Sequence, residues 1–290
     1  MTADIDIKSF LSSPHCKSLA RATADTYRHA INSLTSFISG RAGNRPEPSI
    51  TADLLNDYTQ HMAGLGKSGK TIQQYITIIK IAMRSIGHPI EYTYRIPNAE
   101  KKAHKLKSMN RWFTEDEIRQ CLGYRWPEFH IRNHLIVRLM IETGARVREI
   151  ANVRFKDVAM TKKTVWLTDS KTEPRPVFYS DDTKRSFEKL LRATNVIIFD
   201  HQARKVFPSP QHIKKIITDM LVDIGIKDSK DGRGPHTFRH YSATYLHYVG
   251  GMSLADIGRL FGDKPEMIRD RYLHPTPEMM QAKMEKAMNW

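Results

Sequence analysis

The stretch PHTFRH at 235–240 sets His236 and Arg239 three positions apart, so that in a helix both side chains share a face. Further on, RDRYLHP at 269–275 places one tyrosine, Tyr272, among arginines. Upstream, TGARVRE at 143–149 puts Arg146 just past a glycine that can end a helix, with Glu149 one turn further on. Guanidinium groups carry permanent charge and several donors, and a phenol is a latent nucleophile. Cations on shared faces with one isolated hydroxyl suit chemistry on a bound anion. Each motif alone is weak, because an arginine after a glycine and a His-x-x-Arg pair both arise for structural reasons.

The composition points the same way. Lys and Arg number 46 against 31 Asp and Glu, a formal charge of +15 in 290 residues. Such an excess favours a polyanionic partner, since bound phosphates release counterions when lysine and arginine neutralise them. Several classes are disfavoured. No GxxxxGK[ST] loop is present to cradle a nucleotide, Cys16 and Cys121 lack metal-ligand spacing, and no carboxylate spacing suggests a two-magnesium site. The two cysteines read as reduced thiols, and no run of about 18 apolar residues predicts a membrane span. The start, MTADIDIKSF, does not resemble a secretory signal, so a soluble intracellular protein is expected, with no membrane partner.

The elements that must carry these residues divide the chain. Tyr27, Ala30, Ile31, Leu34, Phe37 and Ile38 form a helical stripe ending at Gly40. Thr51 is placed to cap a second helix bearing Leu54, Leu55, Tyr58 and Met62, and a third follows GKSGK with Ile72, Ile76, Ile79 and Met83 on one face, ending at Gly87. Residues 1–95 are thus expected to form a small all-α bundle, with Lys67 and Lys70 as candidate backbone-binding cations. Residues 96–111 have no sustained apolar period and carry Lys101, Lys102, Lys105, Lys107 and Arg111. They predict a basic interdomain linker, able to lie along a nucleic-acid strand or to serve as a solvated tether.

The second domain, 112–290, opens with a capping box at Thr114 and Glu117. HLIVRLMIETG predicts an apolar helix stopped by Gly144, and ARVREIANV resumes helical spacing. TVWLT and RPVFYS predict two strands of a hairpin around DSKTEP. A helix near 181–193 follows, NVIIFD is ambiguous, and the remainder from Gln211 is mostly helical, with a tail from about 276 whose Met280, Met284, Ala287 and Met288 share a face. The fold class is mainly α, with a small antiparallel sheet in the second domain.

Order and spacing together carry more than any single motif. TGxRxxE, a lysine in a hairpin tip, HxxRH and a lone tyrosine near the end resemble the tyrosine recombinase (phage integrase) family over nearly the whole chain. The resemblance implies a core-binding (SAM-like) helical bundle followed by a catalytic domain. It matches Arg146 and Arg239 to the arginines that hold the scissile phosphate, Lys171 to the hairpin lysine, His236 to the first histidine of HxxR, and Tyr272 to the nucleophile. Glu149 falls on the acidic position that supports the first arginine, and His240 on the second histidine. One position departs from the pattern. Where the family carries histidine or tryptophan, FGD places Asp263, which when ionised repels a phosphate.

The chemistry such a site implies is strand cleavage and rejoining. Two guanidiniums grip the non-bridging oxygens, His236 assists deprotonation of a phenol whose ordinary pKa is about 10, and Lys171 protonates the leaving 5′ oxygen. A 3′-phosphotyrosyl intermediate forms without metal, ATP or other cofactor. The implied partners are a double-stranded recombination site, a homo- or heterotetramer on two DNA segments, and accessory DNA-bending proteins, in the cytoplasm on the nucleoid. The final helix then either packs on its own domain or docks into a neighbouring protomer. Two alternatives stay open: relaxation of DNA by a type IB topoisomerase, and a non-catalytic DNA-binding protein on the same fold.

Overall fold

Periodic apolar residues organise the chain into two compact units, Met1–Lys107 and Ser108–Trp290. The structure is a computed structural model and describes residues 7–42, 49–109, 112–127, 130–168, 173–194, 202–228 and 231–288.

In the first unit a short 3-10 turn, Ile7–Ser12, leads into α1 (Pro14–Ser18), α2 (Arg21–Ala42), α3 (Ala52–Gly64), α4 (Gly69–Ser85) and α5 (Asn98–Met109). The expected stripes are the faces that meet: Ile31, Leu34, Leu55, Tyr58, Ile72, Ile79 and Met83 are all buried. Thr51 caps α3, its Oγ1 accepting from the Leu54 amide at 3.2 Å. α2 continues two residues past Gly40, because glycine lowers helix propensity without forbidding the helical conformation. The segment 96–111, expected as a basic interdomain linker, is helical from Asn98 to Met109. Its run of Ala, Glu, Lys, Leu and Met consists of strong helix formers, a signal that apolar periodicity does not register. Glu100 on α5 accepts from the Gly69 amide at 2.5 Å, capping the start of α4. That contact brings the start of α4, next to Lys67 and Lys70, against the start of α5, next to Lys101 and Lys102.

In the second unit α6 (Glu115–Gly123), opened by the Thr114–Glu117 capping box, precedes α7 (Ile131–Thr143) and α8 (Val147–Asn152). A three-stranded antiparallel sheet follows: β1 (Val158–Ala159), β2 (Thr164–Leu167) and β3 (Arg175–Phe178), in the order β1-β2-β3. Val165 pairs with Val177 and Leu167 with Arg175. β1 is too short to show alternation in the sequence, and NVIIFD lies outside the described residues. Then come α9 (Asp181–Thr194), α10 (Pro210–Asp223), α11 (Pro235–Tyr248), α12 (Leu254–Phe261), α13 (Pro265–Met267), a π-helical turn Ile268–Tyr272 and α14 (Pro277–Met288). α7 is buried along Leu135, Ile136, Val137, Leu139 and Met140, so it serves as the central post. A smaller cluster of Ala243, Ile257, Phe261 and Ile268 seats the segment carrying Tyr272. No described helix is long and apolar enough to cross a membrane.

Candidate active site

α7 ends at Gly144, whose φ of 60° is left-handed. A side chain there would be strained and would also strike the Phe261 ring. The reversal delivers Arg146 to the N-terminus of α8 in extended conformation. Glu149, in the first turn of α8, accepts from the Arg146 amide at 2.7 Å and from the Arg146 Nη1 at 3.1 Å. The same carboxylate receives two parallel bonds from Arg175 on β3, Nη1 to Oε1 at 3.0 Å and Nη2 to Oε2 at 2.9 Å. Arg175 also donates from Nε to the Leu260 carbonyl at 2.7 Å. Glu149 is therefore a buried anion held by two cations and a backbone amide, and it fixes where Arg146 can point.

Arg239, one turn into α11, is 1 % exposed. Nη1 donates to the Gly144 carbonyl, and Nη2 donates to the Phe261 carbonyl at 2.9 Å. Its Cζ lies 4.3 Å from the Phe261 ring centroid and 5.0 Å from that of Tyr272. Burial lowers its pKa, with Tyr272 and Asp263 opposing the shift, but a guanidinium stays charged under these conditions. Its Nε is buried and finds no partner among the described residues. For Arg146, burial opposes the charge, while Glu149 and Asp263 outweigh it and raise the pKa.

Asp263 joins the two arginines. Helix α12 stops at Gly262 in left-handed conformation, with the Asp263 amide donating to the Gly258 carbonyl at 3.0 Å, and the turn aims the Asp263 side chain inward. Oδ1 accepts from Arg146 Nη2 at 2.6 Å and Oδ2 accepts from Arg239 Nη2 at 2.6 Å. One carboxylate thus spans both guanidiniums.

Tyr272 ends the π-helical turn and is half-buried. Its segment is pinned by Thr244 of α11, whose Oγ1 donates to the Tyr272 carbonyl at 3.1 Å and accepts from the His274 amide at 3.0 Å. The His240 ring stands 5.0 Å from Tyr272 and 4.3 Å from Trp112, and Trp112 stacks on His274 at 3.7 Å with 6° between planes. Burial, then His274, His236 and Arg239, push the His240 pKa down to about 3, so its imidazole is neutral. His236 lies exposed on the first turn of α11. Desolvation against the site wall, followed by the charges of Arg239 and Arg146, lowers its pKa, leaving a neutral base beside two cations.

The structure therefore brings together Arg146, Glu149, His236, Arg239, His240, Asp263 and Tyr272 from α8, α11, the α12 turn and the π turn. Lys171, in the hairpin tip, lies outside the described residues. Lys67, Lys70, Lys101 and Lys102 are exposed on the first unit. Lys105 and Lys107 fall on α5 with side chains outside the described set, and Arg111 also lies outside it. Two participants were missed from the sequence. Arg175 had a signal: strand alternation puts it on the same buried face as Val177, an unusual place for a cation. Trp112, at the end of a basic segment, had none.

Residues 111–279 match the phage integrase family. The chain belongs to that family and is a tyrosine recombinase, a DNA-cleaving and rejoining enzyme. It is 22% identical over 284 residues to the tyrosine recombinase XerA of Saccharolobus solfataricus, covering 92% of this chain and 87% of the relative. A tyrosine recombinase of Thermosipho africanus is likewise 22% identical, covering 90% and 91%. Among solved structures, the XerH site-specific recombinase bound to difH substrate in a pre-cleavage complex superposes with a TM-score of 0.71 at 16% identity, covering 98% and 94%. The fold is that of these recombinases.

Proposed function

We propose that the chain is a site-specific DNA recombinase or integrase in which Arg146 and Arg239 hold a scissile phosphodiester and Tyr272 attacks it. The observation that carries this reading is the convergence of both guanidiniums on one anion, Asp263, with the Tyr272 ring packed against Arg239. The two arginines spread the charge that develops on the non-bridging oxygens. The phenol oxygen forms a bond to phosphorus as the bond to the 5′ oxygen breaks. His236, neutral and next to the arginines, takes the phenolic proton directly or through the phosphate, and Lys171 gives a proton to the departing 5′ oxygen. The 3′-phosphotyrosyl link retains the energy of the broken ester, and a second 5′ hydroxyl reverses the step to seal a new junction. Cations of the chain supply the charge stabilisation, so the reaction runs without metal or nucleotide.

Double-stranded DNA is the partner, with Lys67, Lys70, Lys101 and Lys102, together with Lys105, Lys107 and Arg111, contributing to backbone binding. The active assembly is a tetramer on two DNA segments. Met280, Met284 and Met288 on α14 are each more than half exposed, which favours docking of this helix on a neighbouring protomer over packing at home.

The test is a nicked suicide substrate carrying the cognate site. The wild-type protein is expected to form a covalent adduct that survives denaturing electrophoresis, and Tyr272→Phe none. Adducts that persist in Tyr272→Phe would sink the assignment. The carboxylate already lodged between the arginines favours a second reading, a DNA-binding protein that no longer cleaves. DNA binding without adduct in any variant would establish it.

A further inference from the structure

A carboxylate clasped by two guanidiniums from distant parts of a chain is not a surface ion pair. Its side chain is 13 % exposed, against 20 % for Arg146 and 1 % for Arg239. Each oxygen takes one short bond, from Arg146 on one side and from Arg239 on the other, at 2.6 Å in both cases. A phosphodiester offers the same elements: one negative charge shared by two non-bridging oxygens. Both guanidiniums are also fixed from behind, Arg146 by Glu149 and Arg239 by the Gly144 and Phe261 carbonyls. Neither needs Asp263 to stay in place, and each directs a donor at the point where Asp263 now sits.

We propose that Asp263 is a positioning residue that occupies the seat of the scissile phosphate in the DNA-free protein and is displaced from it when DNA binds. The proposal rests on the reading of Arg146 and Arg239 as the phosphate clamp. Charge makes the two occupancies exclusive. Among the described residues, with Asp263 in place, the cations Arg146, Arg175 and Arg239 face the anions Glu149 and Asp263, a net charge of +1. Replacing Asp263 by a phosphodiester preserves that balance. Adding a phosphodiester beside it sets two anions against each other in a site partly shielded from water, where repulsion is strong. The exposed edges of Asp263 and Arg146 give the incoming phosphate access, and a rotation of the Asp263 side chain is enough to vacate the seat. The buried Nε of Arg239, without a partner among the described residues, is a further donor on the same guanidinium that an incoming phosphate oxygen can engage. The departure from the family pattern then has a consequence: DNA binding must overcome an internal competitor, which raises the DNA concentration needed for cleavage and discriminates against weakly held sites.

The test uses inorganic phosphate on the full-length protein, without DNA, so that it does not depend on cleavage. Thermal unfolding is followed with phosphate and with chloride at matched ionic strength, since a ligand of the folded state raises the midpoint. Asp263→Asn removes the competing charge at nearly the same size, and Asp263→Ser provides a second variant should the first not fold. Either is expected to bind phosphate at least about 10-fold more tightly than wild type. Equal or weaker phosphate binding in the variants overturns the proposal, as does a DNA complex in which Asp263 still spans Arg146 and Arg239. Adduct formation is scored separately. If the variants gain phosphate affinity but no protein forms an adduct, the recombinase reading fails while the assignment of the seat stands. If wild type forms adducts and the variants gain no affinity, the reverse holds.

Discussion

The two units solve the burial problem differently. In residues 1–107 the buried described residues are apolar except for Thr59 and Gly69, whereas residues 108–290 also bury Glu149, Asp157, Arg175 and Arg239. Apolar burial stabilises wherever it occurs, at roughly 25 cal/mol per Å². Buried ion pairs gain little over an apolar replacement, because desolvation cancels much of the attraction, yet removing one partner is costly. The first unit is therefore built for stability, with its charge left at the surface. The second gives up some stability to hold guanidiniums in fixed directions. Orientation is what a charge-stabilised transition state requires, since donors already in place need not reorganise as the charge develops.

All four tryptophans, Trp112, Trp126, Trp166 and Trp290, belong to the second unit, so fluorescence reports its unfolding within the intact chain while circular dichroism reports both. The largest expected effect is from Arg175→Gln, which strips Glu149 of its bidentate partner. It should destabilise the second unit by about 3–5 kcal/mol and lower adduct formation by loosening Arg146. Unchanged fluorescence midpoints would mean that the buried network does not hold this unit together. Leu34→Ala is the counterpart in the first unit. Cavity formation should cost about 2–5 kcal/mol, read by circular dichroism, with the tryptophan signal reporting whether the second unit shares the loss.

A third expectation concerns pH. With a native pKa near 3 against an ordinary 6.5, His240 stays neutral in the folded chain, whereas the unfolded chain takes up a proton as pH falls below about 6.5. Its contribution is therefore complete above that range and is lost progressively as pH falls toward about 3, on the order of a few kcal/mol in all. Urea midpoints by fluorescence at several pH values should show this slope, and His240→Gln should flatten it. The smallest effect is expected from Met284→Lys on α14. As an exposed position it should leave both unfolding signals within about 0.5 kcal/mol of wild type, while reducing assembly of protomers on paired DNA segments. A large stability loss would place α14 in its own domain's packing instead.

Much of the architecture was legible because helices announce themselves locally. The Thr114 capping box, the stop at Gly144 and the stripes of α3 and α4 are each set by neighbours within a turn or two. The helix at Asn98–Met109 carries no apolar stripe, and its Ala, Glu, Lys, Leu and Met residues form it through propensity alone. Among site residues, Arg146 with Glu149 and His236 with Arg239 were visible as pairs three apart. Arg175 and Trp112 were not, since their partners are distant in the chain.

By itself the sequence determined the helical elements, the short hairpin, the basic excess and the order of motifs that marks the family, all of which depend on residue type and near spacing. Only the tertiary structure decided where the Asp263 carboxylate goes. Arg146 lies 117 residues from Asp263 and Arg239 lies 24 away, and no local pattern encodes that one carboxylate meets both. That meeting is fixed by how α8, α11 and the turn after α12 pack, which brings two guanidiniums to face one carboxylate.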